Sequence, residues 1–386
     1  MSRRGGDSRH GGHAAVAALA AAAVLAAGGC TADQPRSAAR SPTTAPTSAP
    51  TTPRPTDSPD PPAEPSPGRA VTVTVVGDIM LGRGVAAAAA AAGDPSAPLR
   101  PMSDRLARSD ITVGNLESTL SMTGEPRQPG DDSFAAPPAV MAGFRAAGFD
   151  VLSLANNHTG DFGRPALVQT VRRVRTGGVS PLGAGADRAG AWRPVVVERR
   201  GVRVGFLAFN AIGETWRAGA DSAGAASLRM QPRTGAIVPL ELLRLETRVR
   251  ALALRTHVVV VLPHWGDQYT HQPVPDQRRV GSALIDAGAT VVVGGHPHWV
   301  QDVQRHRDGF VVHSLGNFVF DMDTRETREG VVLDLTFRRS ELARADLTPY
   351  VIGADFAPRP VHGARARAIL ADIGGLGLLP GSSLTP

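Results

Sequence analysis

The sequence predicts an α/β protein, and three observations carry that expectation. Strand-like and helix-like stretches alternate from residue 71 onwards, the strands are near-continuous apolar runs, and the chemically active side chains fall just after strand ends. Continuous apolar strands are those covered on both faces. Loops after the carboxyl ends of parallel strands are where open α/β sheets place their sites.

The elements follow in order. Residues 71–76 are a β-branched run that suits a buried strand, and 110–113 form a second, shorter one. A helix over 138–147 stops at Gly148, a strand follows at 150–154, and a helix over 165–175 opens on Pro165 and stops at Gly177-Gly178. Strands at 194–198 and 202–209 flank Arg200-Gly201 as a hairpin, and 211–236 is a Gly/Ala/Ser-rich loop. A helix at 239–254 leads into the apolar strand 258–262, and a helix at 276–287 leads into 290–293. Strands at 310–313 and 331–337 complete the pattern, which weakens beyond residue 341; from Gly374 the chain reads as flexible.

The 386 residues allow one large domain or two small ones once unstructured stretches are set aside. Residues 1–30 read as an export signal: Arg3 and Arg4, then an apolar stretch over 14–27, shorter than the roughly 20 residues of a membrane span. The stretch runs through small residues into Cys30, the one cysteine, so no intramolecular disulfide forms. That junction resembles a bacterial lipoprotein cleavage site, with Ala27 where Leu is usual, and implies lipidation of Cys30. A plain cleaved signal and an uncleaved anchor are the other readings. Residues 31–69 are rich in Pro, Thr and Ser and bury too little to fold, so they read as a disordered linker. The folded domain is expected over 70–340, with 341–386 as an extension partly packed on it and ending in a flexible tail. The net charge is +6 and every basic residue is Arg, but the arginines are scattered along the chain without interleaved aromatics. A single-strand groove needs that interleaving, so nucleic acid is not an expected partner.

Five strand ends in succession present candidate ligands: Gly77-Asp78, Asn115-Leu116-Glu117, Asn156-Asn157-His158, His264-Trp265-Gly266 and Gly295-His296-Pro297-His298. Each alone is weak, since Gly-Asp is commonly a turn and Asn157 could stabilise one through its side chain. Together they offer carboxylate, amide oxygen and imidazole. That mixture suits Mn, Fe or Zn and not calcium, which takes oxygen alone.

In this order the motifs resemble the CapA family, capsule proteins linked to bacterial poly-γ-glutamate synthesis. The stretches that carry the resemblance run from Gly77-Asp-Ile-Met-Leu-Gly-Arg83 to Ser314-Leu-Gly-Asn-Phe318, within residues 71–337. That family is similar to calcineurin-like metallophosphoesterases. The resemblance implies a four-layer α/β/β/α sandwich and one or two divalent metal ions per chain. It implies Asp78 and His298 on a first metal, Asn157, His264 and His296 on a second, and Glu117 bridging both. His158 would be the catalytic acid beside them, with Arg83 and Asn317 contacting an anionic substrate. Two such ions about 3.5–4 Å apart activate water and stabilise charge on the opposite oxygen. Departures are Met80, where phosphoesterases carry a histidine, Glu117 in place of the usual Asp, and Gln268 where an acidic residue is frequent.

The expected function is metal-dependent hydrolysis or handling of an anionic envelope polymer, poly-γ-glutamate by resemblance, at the outer face of the membrane or after secretion. A membrane ligase and transport proteins are the implied partners. The alternatives are a non-catalytic assembly or export component that binds the polymer, and a phosphoesterase acting on another substrate.

Overall fold

A computed structural model describes residues 70–381 apart from Met122 and Ser340. The expected signal, Cys30 and the linker at 31–69 lie outside the described residues. No helix among the described residues is long and apolar enough to cross a membrane.

In chain order the elements are β1 (Val71–Ile79), α1 (Arg83–Ala91), α2 (Arg100–Leu106), β2 (Ile111–Leu116), α3 (Met141–Ala146), β3 (Phe149–Ser153) and α4 (Gly163–Thr176). Then come β4 (Ser180–Leu182), β5 (Ala184–Gly185), α5 (Arg188–Ala191), β6 (Val195–Arg199), β7 (Val202–Asn210), β8 (Gly224–Ala225) and α6 (Pro239–Ala253). They continue with β9 (Val258–His264), α7 (Pro275–Asp286), β10 (Val291–Val293), β11 (Val303–His306), β12 (Gly309–Val312) and β13 (Asn317–Val319). The last are β14 (Glu329–Arg338), β15 (Glu341–Ile352), β16 (Pro358–Pro360) and α8 (Gly363–Ala371).

Two sheets carry the fold. One has the strand order β16-β15-β14-β1-β2-β3-β4 with β13 added beside β1, and the other has β11-β12-β10-β9-β7-β6. Alternate residues of each strand go to different cores, which is why the strands read as unbroken apolar runs. Val258, Val260 and Leu262 of β9 join Val71, Val73 and Val75 of β1 in one buried cluster between the sheets. Val259 and Val261 instead pack with Leu242, Leu245 and Val249 of α6 and Leu284 of α7. On the far side, Val76 and Ile79 of β1 pack with Met102 of α2, Phe144 of α3 and Leu167 of α4. Three apolar layers between four structural layers give the α/β/β/α sandwich implied by the resemblance. Each fully buried Val or Leu contributes about 1.5–3 kcal/mol.

The C-terminal part departs from the sequence expectation. Where the pattern weakens, β15 pairs antiparallel with β14 from Arg338↔Glu341 to Glu329↔Val351. Its Ala345 and Leu347 enter the inter-sheet core, while Arg344 and Asp346 alternate with them, which dilutes the apolar signal. Residues 374–381, expected to be flexible, are held instead: Val303 N–H donates to Gly374 O, Ala345 N–H donates to Pro380 O, and Leu379 is buried. Both edges of the larger sheet carry proline, Pro181 in β4 and Pro358 and Pro360 in β16. Proline withholds an N–H, which blunts an edge against further strand pairing.

Candidate metal centre

The register of the parallel strands brings the polar residues to one level. Asp78 lies beside Asn115 of β2 and Asn317 of β13, and His264 lies beside Asn210 of β7 and bridges to Gly295. Glu117 follows β2 directly, with its N–H bonded to Ile79 O at 2.8 Å. The backbone packs so closely that glycine is required twice. A Cβ at Gly77 would lie 1.9 Å from Gly316 O, and one at Gly295 would lie 2.5 Å from Asp78 Oδ1.

Six of the residues put forward from the sequence converge: Asp78, Glu117, Asn157, His264, His296 and His298, all buried. Two sets of three have their donor atoms within 4.8 Å of one another: Glu117, His264 and His296, and Asp78, Glu117 and His298. Glu117 belongs to both. Asn157 Oδ1 lies 2.8 Å from His264 Nε2, which in turn is 3.5 Å from Glu117 Oε1.

The hydrogen bonding tests whether these residues fit a cation. Among the described residues, both carboxylate oxygens of Glu117 and both ring nitrogens of His296 are buried without a hydrogen-bond partner. Unpartnered buried polar groups are costly and rare, and here they face one another across a pocket of oxygen and nitrogen donors. Burial pushes Asp78 up to about 7, with Glu117 adding to the effect, and burial also raises Glu117. Burial lowers His264 to about 4, and it lowers His296 and His298 as well. The imidazoles are therefore held neutral, the form that coordinates metal. A divalent cation relieves all of these costs together, so the donor set fits one.

The backbone supports the same view. His296 has φ 95° and His298 has φ 60°, a left-handed region that non-glycine residues seldom enter. Such strain costs about 1–3 kcal/mol per residue and concentrates at functional sites. In return, His296 N–H donates to Asp78 Oδ2 at 2.9 Å.

His158 sits beside the cluster. Its Nε2 is 3.8 Å from Glu117 Oε1, its Nδ1 is 2.8 Å from Asp161 Oδ2, and its ring stacks on Phe134. Burial alone would lower its pKa, but the bond to Asp161 and the charges of Asp161 and Glu117 overcome that and raise it.

The two residues expected to meet substrate are placed differently. Arg83 is paired with Asp321, lies 4.5 Å over the Phe134 ring, and lines a surface hollow of about 710 Å³. Asn317 does not line an open surface. It is fully buried, its Oδ1 accepts from His298 Nδ1 at 2.8 Å, and its Nδ2 donates to Thr327 O. Its amide is committed on both sides, so it orients His298. Met80 is buried in the helix-side core, with its sulfur 3.0 Å from Gly82 N.

Four supporting residues received no role from the sequence: Asn115 and Asn156, which stood in the strand-end motifs, and Asp161 and Glu214, which were not singled out. Asn115 donates to Asp78 Oδ1 at 2.8 Å, and Asn156 Oδ1 accepts from the N–H groups of His158 and Thr159. Asp161 orients His158, and its position three residues on from that histidine was the available signal. Glu214 accepts from Asn157 Nδ2 at 2.8 Å, which turns the amide oxygen towards His264; nothing local in its glycine-rich loop marks it.

Fold and site together define a four-layer α/β/β/α protein with a buried carboxylate–amide–imidazole cluster at its strand ends. Residues 72–322 match the family described as bacterial capsule synthesis protein PGA_cap. The chain belongs to that family. It is similar to the capsule biosynthesis protein CapA of Bacillus anthracis, 31% identical over 298 residues that cover 76% of this chain and 70% of the relative. It is also similar to the PGA biosynthesis protein CapA of Bacillus subtilis strain 168, 26% identical over 293 residues that cover 75% of this chain and 74% of that one. Among solved structures, a putative 5'-nucleotidase from Staphylococcus aureus aligns with a TM-score of 0.41 and 12% identity, over 78% of this chain and 57% of that chain.

Proposed function

We propose that this chain is a metal-dependent envelope protein that processes or handles poly-γ-glutamate during capsule synthesis. One observation carries the metal reading: among the described residues, no oxygen of the Glu117 carboxylate and no ring nitrogen of His296 has a hydrogen-bond partner, although all are buried, and a cation satisfies them together. The family and the names of its relatives supply the polymer.

Asp78 and His298 would hold one ion, Asn157, His264 and His296 a second, and Glu117 both, with Mn, Fe or Zn favoured by the mixed donors. When bound, such ions polarise an acyl or phosphoryl oxygen and lower the pKa of water. The chain's own residues do the rest. Asp161 holds the Nδ1 proton of His158, so the second proton of the charged ring sits on Nε2, the nitrogen facing the cluster. His158 then donates from Nε2 to the leaving nitrogen or oxygen, and Phe134 fixes its ring plane. Asn317 and Asn115 hold His298 and Asp78 in place. Arg83, at the rim, offers its remaining N–H groups to substrate carboxylates.

In this reading Cys30 is lipidated and residues 31–69 tether the domain at the outer face of the membrane, next to the ligase and transport proteins that make the polymer. The test is metal analysis of the purified protein, followed by polymer-cleavage and Mn-dependent phosphodiester assays with Asn157→Ala and His158→Ala. Bound metal with both variants inactive on the polymer is the expected result. Intact polymer throughout, with phosphodiester turnover lost in both variants, selects the phosphoesterase reading. Polymer binding without turnover selects the assembly component, and protein that neither carries nor takes up metal overturns the metal-centre reading.

A further inference from the structure

Arginines scattered in the sequence come together on the flank of the smaller sheet. Arg188 of α5 and Arg244 and Arg248 of α6 line a hollow of about 340 Å³ that also contains Trp192. Arg248 lies 5.1 Å over the Trp192 ring, and both residues continue into an adjoining hollow of about 160 Å³ with Arg255. None of these four arginines is in an ion pair with a carboxylate among the described residues. The carboxylate in the first hollow, Glu241, is already taken by Arg217 and by the backbone N–H of Arg229.

This arrangement works against the protein alone. Arg244 and Arg248 are four residues apart on one helix face, a like-charge spacing that destabilises a helix. Arg188 approaches from a separate element, and burial together with Arg188 and Arg244 lowers the pKa of Arg248. The cations share one concave surface with an aromatic wall, and among the described residues none of them has a carboxylate in ion-pair contact. As the crossover between the parallel strands β7 and β9, α6 runs back from the end of the sheet that holds the metal cluster. The connection from β7 to α6, which supplies Glu214 to the cluster, also supplies Arg217 and Ser227 to the first hollow. The trough thus starts on the connection that supplies Glu214 and runs back along α6, and it shares no residue with the cluster.

We infer that this trough is a docking track for an extended polycarboxylate, a run of the poly-γ-glutamate chain outside the metal centre. The inference rests on the function proposed above for its choice of polymer. Charge complementarity selects the occupant: cations spread over two joined hollows match repeated carboxylates better than one compact anion. Single-stranded nucleic acid fits less well, because the one aromatic lining the trough, Trp192, is already covered by Arg248.

The test titrates dye-labelled poly-γ-glutamate of defined length against the full chain by anisotropy at two salt concentrations. Wild type is compared with Arg244→Gln/Arg248→Gln and, separately, with Arg188→Gln. The double variant should bind about tenfold more weakly with a shallower salt dependence, as expected from losing two exposed charge contacts. The metal-induced rise in melting temperature should be unchanged in all three proteins, which shows that the variants are folded. Polymer binding equal to wild type in both variants overturns the track and leaves the proposed function standing. No polymer binding by wild type overturns the polymer reading and the track with it. Tighter binding of a single-stranded oligonucleotide at the same salt overturns the choice of occupant.

Discussion

Replacing Glu117 with Gln should stabilise the metal-free protein while abolishing its response to metal. In the wild type, Glu117 is fully buried, and neither oxygen is hydrogen-bonded among the described residues. An unpaired buried ion costs several kcal/mol, and an unsatisfied amide still costs about 1–3 kcal/mol, so the exchange recovers roughly 2 kcal/mol. At about 2 °C per kcal/mol for a fold of this size, the chelated variant should melt about 4 °C above chelated wild type. The gap should depend on pH. Burial holds the Glu117 pKa above its unfolded value, so the native state keeps a proton that the unfolded chain has released. Wild-type stability therefore falls as pH rises from the ordinary carboxylate range through the folded value, whereas Gln does not titrate. The gap should be small in acid and open towards neutral pH. Adding Mn at a hundred times its Kd should raise wild type by about 2.7 kcal/mol and leave the variant where it was, which reverses their order. The assay is thermal melting with and without chelator over a pH series. A variant that melts below chelated wild type at neutral pH, or that gains as much from Mn, would refute the reasoning.

Three further perturbations probe the supports. Asp161→Asn removes the charge that helps raise His158 and leaves a neutral acceptor in its place, so an NMR titration of the chelated protein should show its midpoint moving to lower pH. A raised histidine pKa stabilises the fold at acid pH and loses that contribution as pH rises through the folded value, so the variant's deficit should appear in acid and fade above neutrality. Glu214→Gln should weaken metal affinity roughly 10–100-fold, as outer-sphere changes do, which competition with a chelator would measure. Gly295→Ala places a Cβ 2.5 Å from Asp78 Oδ1; denaturant unfolding should show a loss of about 1–3 kcal/mol, and the melting shift with metal should vanish.

The legible parts of this molecule were those with short-range causes. Strands 258–262 and 290–293 stood out because covering on both faces demands an unbroken apolar run. The ligand positions stood out because parallel topology sends the chain into a loop after each strand. What escaped has long-range causes. β15 has one solvated face, so Arg344 and Asp346 interrupt its apolar residues, and its pairing with β14 and β16 makes it a strand. Asn317 has the composition of a substrate contact but is spent on His298, a residue 19 positions away. Glu214 reaches Asn157 across 57 positions from a loop with no pattern. The arginine trough is assembled from α5 and α6, so scatter along the chain concealed convergence in space.

The bond from His296 N–H to Asp78 Oδ2 joins residues 218 positions apart. One centre thus draws its donors from the first strand of the fold and from a loop after the tenth, and no shorter segment contains it. Such a centre closes late in folding, because distant contacts form only after long loops have been restrained. A ribosome-bound or partly translocated chain offers scattered side chains and no coordination sphere. If, as the proposed function has it, the domain works outside the membrane, a copy that crossed unfolded would bring no assembled centre with it and would draw any ion from the metal pool on the far side. The ion in that proposed centre would then reflect what is abundant there as well as what the donors prefer.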